Sequence, residues 1–199
     1  MSVRHRSRLQ PQASGVNIVK IFDIARTSHG SFENRYYGAY TKLLTYCFGE
    51  GFDFVVAPQA PPNSQSRETV DFIVYFIVFD AAQQRPVFLI EVKDDEHNTI
   101  PTKRNAADEQ MRGRYDELLR GCPIPLLYGL SVLGTCMRVY CGNKVHKTVM
   151  PSFVETDPRF VLPDDYLEGE WSVDILSPPG FSEMKRIVTF IKDETINLG

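Results

Sequence analysis

Two nearly uninterrupted apolar runs, Val70–Phe79 and Pro86–Lys93, constrain this chain more than any other feature. Such runs read as strands buried on both faces of a sheet. The polar link between them, Asp80 to Arg85, is short enough for a hairpin. Yet each run carries charge. Asp71 stands near the start of the first, and Glu91 and Lys93 end the second. Side chains alternate faces along a strand, so Glu91 and Lys93 point the same way. Burying such groups costs several kcal/mol or more unless they are paired or bind an ion. Two carboxylates and a lysine converging at a strand end form a hard-cation site with a cationic side chain beside it. Oxygen ligands of this kind suit Mg²⁺ or Mn²⁺, and Mg²⁺ fills its remaining positions with water and substrate phosphate. The bland alternative is a Glu91–Lys93 salt bridge at a sheet rim.

The rest of the chain supplies a context for these strands. Residues 1–16 are polar and basic and read as a flexible arm, which either touches phosphate, serves as a nuclear import signal or is simply a solvated tail. Residues 17–26 suit a short helix or strand. A helix is expected over 31–48, where Phe32, Tyr36, Tyr40, Leu43, Leu44 and Cys47 fall on one stripe, Ser31 is placed to cap it, and Gly49-Glu50-Gly51 ends it. A strand at 53–57 and a loop from Pro58 to Glu68 follow. After the two apolar runs, a second helix at about 105–120 carries the stripe Ala107, Met111, Tyr115, Leu118 and Leu119, and Gly121 and Pro123 stop it. Strands are expected at 125–133 and 136–141, an edge strand at 171–176, and a terminal helix from the spacing of Phe181, Met184, Ile187, Val188 and Ile191.

The acidic residue on one strand, the acidic-x-lysine on the next, and the order helix, three strands, helix, strand resemble the PD-(D/E)XK nuclease superfamily. Asp71 matches the first acid, Glu91 the second and Lys93 the lysine; Val70 stands where the motif name has proline. The resemblance covers about residues 30–141 and implies an α/β restriction-endonuclease-like core, a mixed central sheet flanked by helices. It implies Asp71 and Glu91 as metal ligands, with the main-chain carbonyl of Val92 as a further one. Glu33, with Gly30-Ser31-Phe32 before it and Gly49-Glu50-Gly51-Phe52 beyond the helix, is similar to an acid that adds a metal ligand in archaeal Holliday-junction resolvases. Its other reading is a glutamate favouring the positive end of a helix dipole. RecB-like members place a glutamine and a tyrosine in the second helix. Gln110 fits that role, whereas Tyr115 stands five residues on rather than four. The stretch Ala106–Arg112 is also similar to a group of fungal proteins carrying this core, a likeness that brings no activity with it.

Several residues keep two readings. Arg112 and Arg114 either contact phosphate or lie on a solvated helix face. Asp94, Asp95, Glu96 and His97 either supply an outer acid or form an exposed acidic turn. His5, His29 and His146 have no identifiable partner in the sequence.

Bulk properties bound the rest. The 199 residues suit a single domain over 17–199, its core followed by an extension at 142–199. No apolar run reaches the ~20 residues of a membrane helix, and the basic N-terminus lacks the apolar stretch of a signal peptide. An intracellular protein, nuclear or cytoplasmic, is the expectation. The net charge of −3 leaves room for a local basic groove but not for a globally basic binder. The four cysteines lack zinc-type spacing. There is no phosphate loop, no H-E-x-x-H, and Leu133 stands where a hydrolase elbow needs glycine. The expected activity is Mg²⁺- or Mn²⁺-dependent hydrolysis of nucleic-acid phosphodiesters, with DNA as the first candidate substrate, no membrane partner, and a homodimer compatible with the chain. The alternatives are an inert nucleic-acid- or protein-binding module of the same fold, and a purely structural interaction domain.

Overall fold

The computed structural model of the chain describes residues 18–27, 33–49, 51–60, 70–78, 83–157, 159–196 and 198. The basic arm, His29, the expected cap Ser31, Phe32 and residues 61–69 lie outside these.

Helix α1, Ile18–Thr27, settles as helix a segment that suited either state, and it buries Phe22 and Ala25. A 3-10 turn, Glu33–Tyr36, leads into α2, Tyr37–Phe48. The stripe Tyr36, Tyr40, Leu43 and Leu44 is buried, as its helical spacing requires. The α-helix itself starts later than expected, because its approach is wound as the tighter 3-10 form. Tyr36 stands at the N-cap position with no side-chain cap. Gly49 ends α2 at φ 91°, a region where glycine carries no Cβ penalty.

Among the described residues the sheet has seven strands: β1 Phe54–Ala60, β2 Val70–Val78, β3 Gln83–Lys93, β4 Leu126–Leu133, β5 Cys136–Asn143, β6 Thr148–Met150 and β7 Val173–Asp174. They run in the order β1-β2-β3-β4-β5-β6, with β7 also against β5. Every pairing is antiparallel except β3 with β4, which is parallel. A parallel pair needs a long crossover, and α3, Pro101–Leu118, lies in it. Pro101 stands in the first turn, where a fixed φ favours the helix, so α3 begins ahead of the expected residue 105. The short β6 was not expected. Strand β1 continues through Pro58 into the expected loop, which its edge position permits.

Helices cover both faces. On one, the Phe48 ring of α2 meets Phe88 at 5.8 Å, and Phe190 of α4 (Pro178–Ile196) meets Tyr128 at 5.4 Å. On the other, α3 lies so close to β4 that a Cβ on Gly129 would sit 2.3 Å from Met111 Cε. Glu91 follows Leu89 by two positions and therefore shares the face of Leu89 and Gly129 beneath α3. A second small cluster packs Ala107 of α3 and Leu133 of β4 against Tyr166, Leu167 and Trp171. The chain is thus α/β, a mixed sheet flanked by helices.

Candidate functional site

The antiparallel partnership of Phe72 with Ile90 brings Asp71 alongside Glu91. Asp71 is 7% exposed and Glu91 2%, so neither carboxylate can rely on bulk water. Each is held at both oxygens instead. The Tyr37 hydroxyl donates to Asp71 Oδ1, and the Val92 N–H donates to Oδ2 at 2.7 Å. Gln110 Nε2 donates to Glu91 Oε2 at 3.0 Å, and Arg114 Nε donates to Oε1 at 2.6 Å.

The two donors from α3 are positioned by its own period. Gln110 and Arg114 are four apart, so they share one side of the helix. Each precedes a buried apolar partner, Met111 and Tyr115, also four apart. Seating Met111 and Tyr115 over Gly129 turns Gln110 and Arg114 toward Glu91. Tyr115 itself is fully buried, its hydroxyl has no hydrogen-bond partner among the described residues, and it packs over Gly129 and Gly142 rather than joining the carboxylates.

Burial pushes the Glu91 carboxyl up to about 7, and the charge of Asp71 pushes the same way. Arg114 and Lys93 oppose this and favour the ionised form. Lys93 is half-buried on the face of Glu91. Arg114 forms an ion pair with Glu91 at 2.6 Å, with both side chains buried.

Other expectations change. Arg114 lies on no solvated face, being 5% exposed against Glu91. Arg112 pairs with Asp108 at 2.7 Å and donates to the Pro151 carbonyl at 2.9 Å, so it too is built into the fold. The 94–97 stretch is only in part an exposed acidic turn, since Glu96 is exposed but Asp94 is not. Asp94 is buried and pairs with Arg35 at 3.0 Å, and Asp95 meets Arg35 at 2.8 Å as well as the Tyr36 hydroxyl. Glu33 lies in the 3-10 turn ahead of α2, and its side chain is outside the described residues. What the start of α2 brings to Asp71 is Tyr37. No periodicity pointed to that residue. Arg114 was expected as a phosphate contact or on a solvated face, not as the partner of Glu91.

The donor set fits one hard cation. Among the described residues each carboxylate oxygen accepts a hydrogen bond, and a carboxylate oxygen has lone-pair capacity beyond one. A cation would relieve the Asp71–Glu91 repulsion. Among the described residues no group of three or more His, Cys, Asp and Glu side chains is arranged to hold a metal. The fit is therefore to an ion that takes two carboxylates and completes its shell with other oxygens, as Mg²⁺ does. No helix among the described residues is long and apolar enough to cross a membrane. No family model, curated protein or solved structure matches the chain at a significant level.

Proposed function

We propose that this chain is a metal-dependent nuclease with a restriction-endonuclease-like core, hydrolysing phosphodiester bonds in nucleic acid, with DNA as the first substrate to test. One observation carries the reading: Asp71 and Glu91 lie side by side on adjacent strands, with Lys93 on the face of Glu91 and Gln110 bonded to Glu91 from α3. In the hydrolysis, a water oxygen bonds to phosphorus, the P–O ester bond breaks, and the leaving oxygen ends protonated. Asp71, Glu91 and the Val92 carbonyl would hold Mg²⁺ or Mn²⁺, which when bound polarises a phosphate oxygen and acidifies a water. Tyr37 and the Val92 N–H fix Asp71, and Gln110 fixes Glu91. Lys93 offers its ammonium to the charge that builds on the phosphate, an interaction worth most in a site shielded from water. Glu33 is a further candidate ligand, and with it the chemistry would lean toward branched DNA.

Calorimetry with Mn²⁺ should show binding to wild type that is lost in Glu91→Ala. Cleavage of linear and branched duplexes and of RNA, assayed with Mg²⁺, should fall on the order of 10²-fold or more in Lys93→Ala while Mn²⁺ affinity persists. Equal heats for wild type and Glu91→Ala would sink the site, and an unchanged rate in Lys93→Ala would remove the lysine from the chemistry.

A second reading, an inert binding module of the same fold, is favoured by the Arg114 guanidinium already neutralising Glu91. It is separated from the first by a protein that binds nucleic acid in EDTA yet cleaves none with metal.

A further inference from the structure

Among the described residues Arg114 has two carboxylates within reach, Glu91 and Glu117. Its Nε donates to Glu91 Oε1 at 2.6 Å, while its Nη1 lies 3.6 Å from Glu117 Oε2, one turn further along α3. The two seats differ in kind. The Glu91 side chain is 2% exposed and that of Glu117 is 32% exposed. Gln110, Gly113, Arg114 and Glu117 all line an open cleft of about 380 Å³ along α3, and apart from Arg112, Arg114 and the helix's own backbone no atom of the described residues lies within 4 Å of where a Gly113 side chain would start. There is room for the guanidinium to turn.

Arginine keeps its charge at any pH of interest, so it can give up Glu91 only by moving. A divalent cation at Glu91 and a guanidinium on the same carboxylate would repel each other. A turn toward Glu117 removes that conflict and leaves no guanidinium buried without a partner, the state that costs most. Resting on the nuclease reading, we propose that Arg114 is a two-position counter-ion, closing the site to a divalent cation when seated on Glu91 and opening it when seated on Glu117. Arg114 is here a positioning residue, acting through the availability of Glu91.

The test is a Mn²⁺ binding cycle by calorimetry on metal-free wild type, Glu117→Gln, Arg114→Gln and the double variant, with thermal melts to confirm folding. Removing the outer seat in Glu117→Gln should weaken Mn²⁺ binding about tenfold, and removing the plug in Arg114→Gln should strengthen it by a similar factor. On the Arg114→Gln background the Glu117 substitution should have no effect. Should Arg114→Gln not fold, Arg114→Lys replaces it. The ammonium stays near Glu91 but lacks the fork that spans both seats, so Glu117→Gln should again have no effect there. Wild-type affinity in Glu117→Gln, or an equal loss on every background, overturns the two-position counter-ion and leaves the metal site standing. Absence of Mn²⁺ binding to wild type overturns both.

Discussion

Glu91 is a carboxyl whose surroundings resist its ionisation. Burial and the neighbouring Asp71 push it up from 4.5 to about 7, against the pull of Arg114 and Lys93. The sign of the linkage follows. Below about pH 4.5 folded and unfolded chains both hold this proton. Between there and about 7 the unfolded chain releases it and the folded chain keeps it, so stability falls as pH rises. The slope reaches up to about 1.4 kcal/mol per pH unit, and above the window it is flat again. Urea midpoints taken in EDTA across this range should show that decline in wild type and lose this contribution in Glu91→Gln. An identical pH profile for the two proteins would mean that Glu91 ionises normally. At this scale the sequence was legible where it was anomalous. Asp71, Glu91 and Lys93 stood out because charge interrupts apolar runs. Tyr37 and Arg35 did not, since each acquires its role from a partner at least 34 residues away in the chain, and Asp94, read as an outer acid or part of an exposed turn, is paired with Arg35 instead.

Helix α3 fixes the half of the site that the hairpin does not. It does so through two glycines that let it approach the sheet. A Cβ on Gly142 would meet the Tyr115 ring at 2.5 and 2.7 Å, and one on Gly129 would meet the Met111 methyl at 2.3 Å and Tyr115 Oη at 2.9 Å. A methionine end can turn aside, whereas a buried ring cannot. Gly142→Ala should therefore cost roughly 1–3 kcal/mol and more than Gly129→Ala, measured by chemical denaturation. Equal or reversed losses would show that α3 can slide. Element by element, strong periodicity announced α2, α3 and α4, and continuous apolar runs announced β2 and β3. The three-residue β6 is too short to show a period. Tyr166, Leu167 and Trp171 bury against Ala107 and Leu133 without any regular spacing, so that cluster became visible only once the sheet and α3 were in place. The parallel pairing of β3 with β4 was likewise beyond a sequence that shows strands but not their neighbours.

Over the whole molecule, Asp108 ties α3, β5 and the C-terminal segment together. It accepts from Arg138 Nη1 and the Tyr140 hydroxyl at 2.7 Å each, and from Arg112 Nε at 2.7 Å. Arg138 also reaches Glu170 at 3.1 Å, and Arg104 of the same helix donates to the Tyr166 and Asp164 carbonyls. Residues 142–199 are therefore part of the body of the fold rather than an appendage, with Ile187 and Ile191 of α4 in the main core. Asp108→Ala would leave the buried Arg138 without its nearest charge, and a loss of about 3–5 kcal/mol is expected in urea or thermal unfolding. A loss under 1 kcal/mol would show that Glu170 alone suffices. The single parallel junction carries a consequence for the order of assembly. Strands β2 and β3 pair antiparallel and lie close together in the sequence, and such local pairs close in microseconds. Strand β4 and the donors on α3 meet β3 only after the crossover has been laid down, and such non-local contacts form late. A folding chain thus brings Asp71 and Glu91 side by side before Arg114 arrives, at a stage when Glu91 is not yet covered by α3.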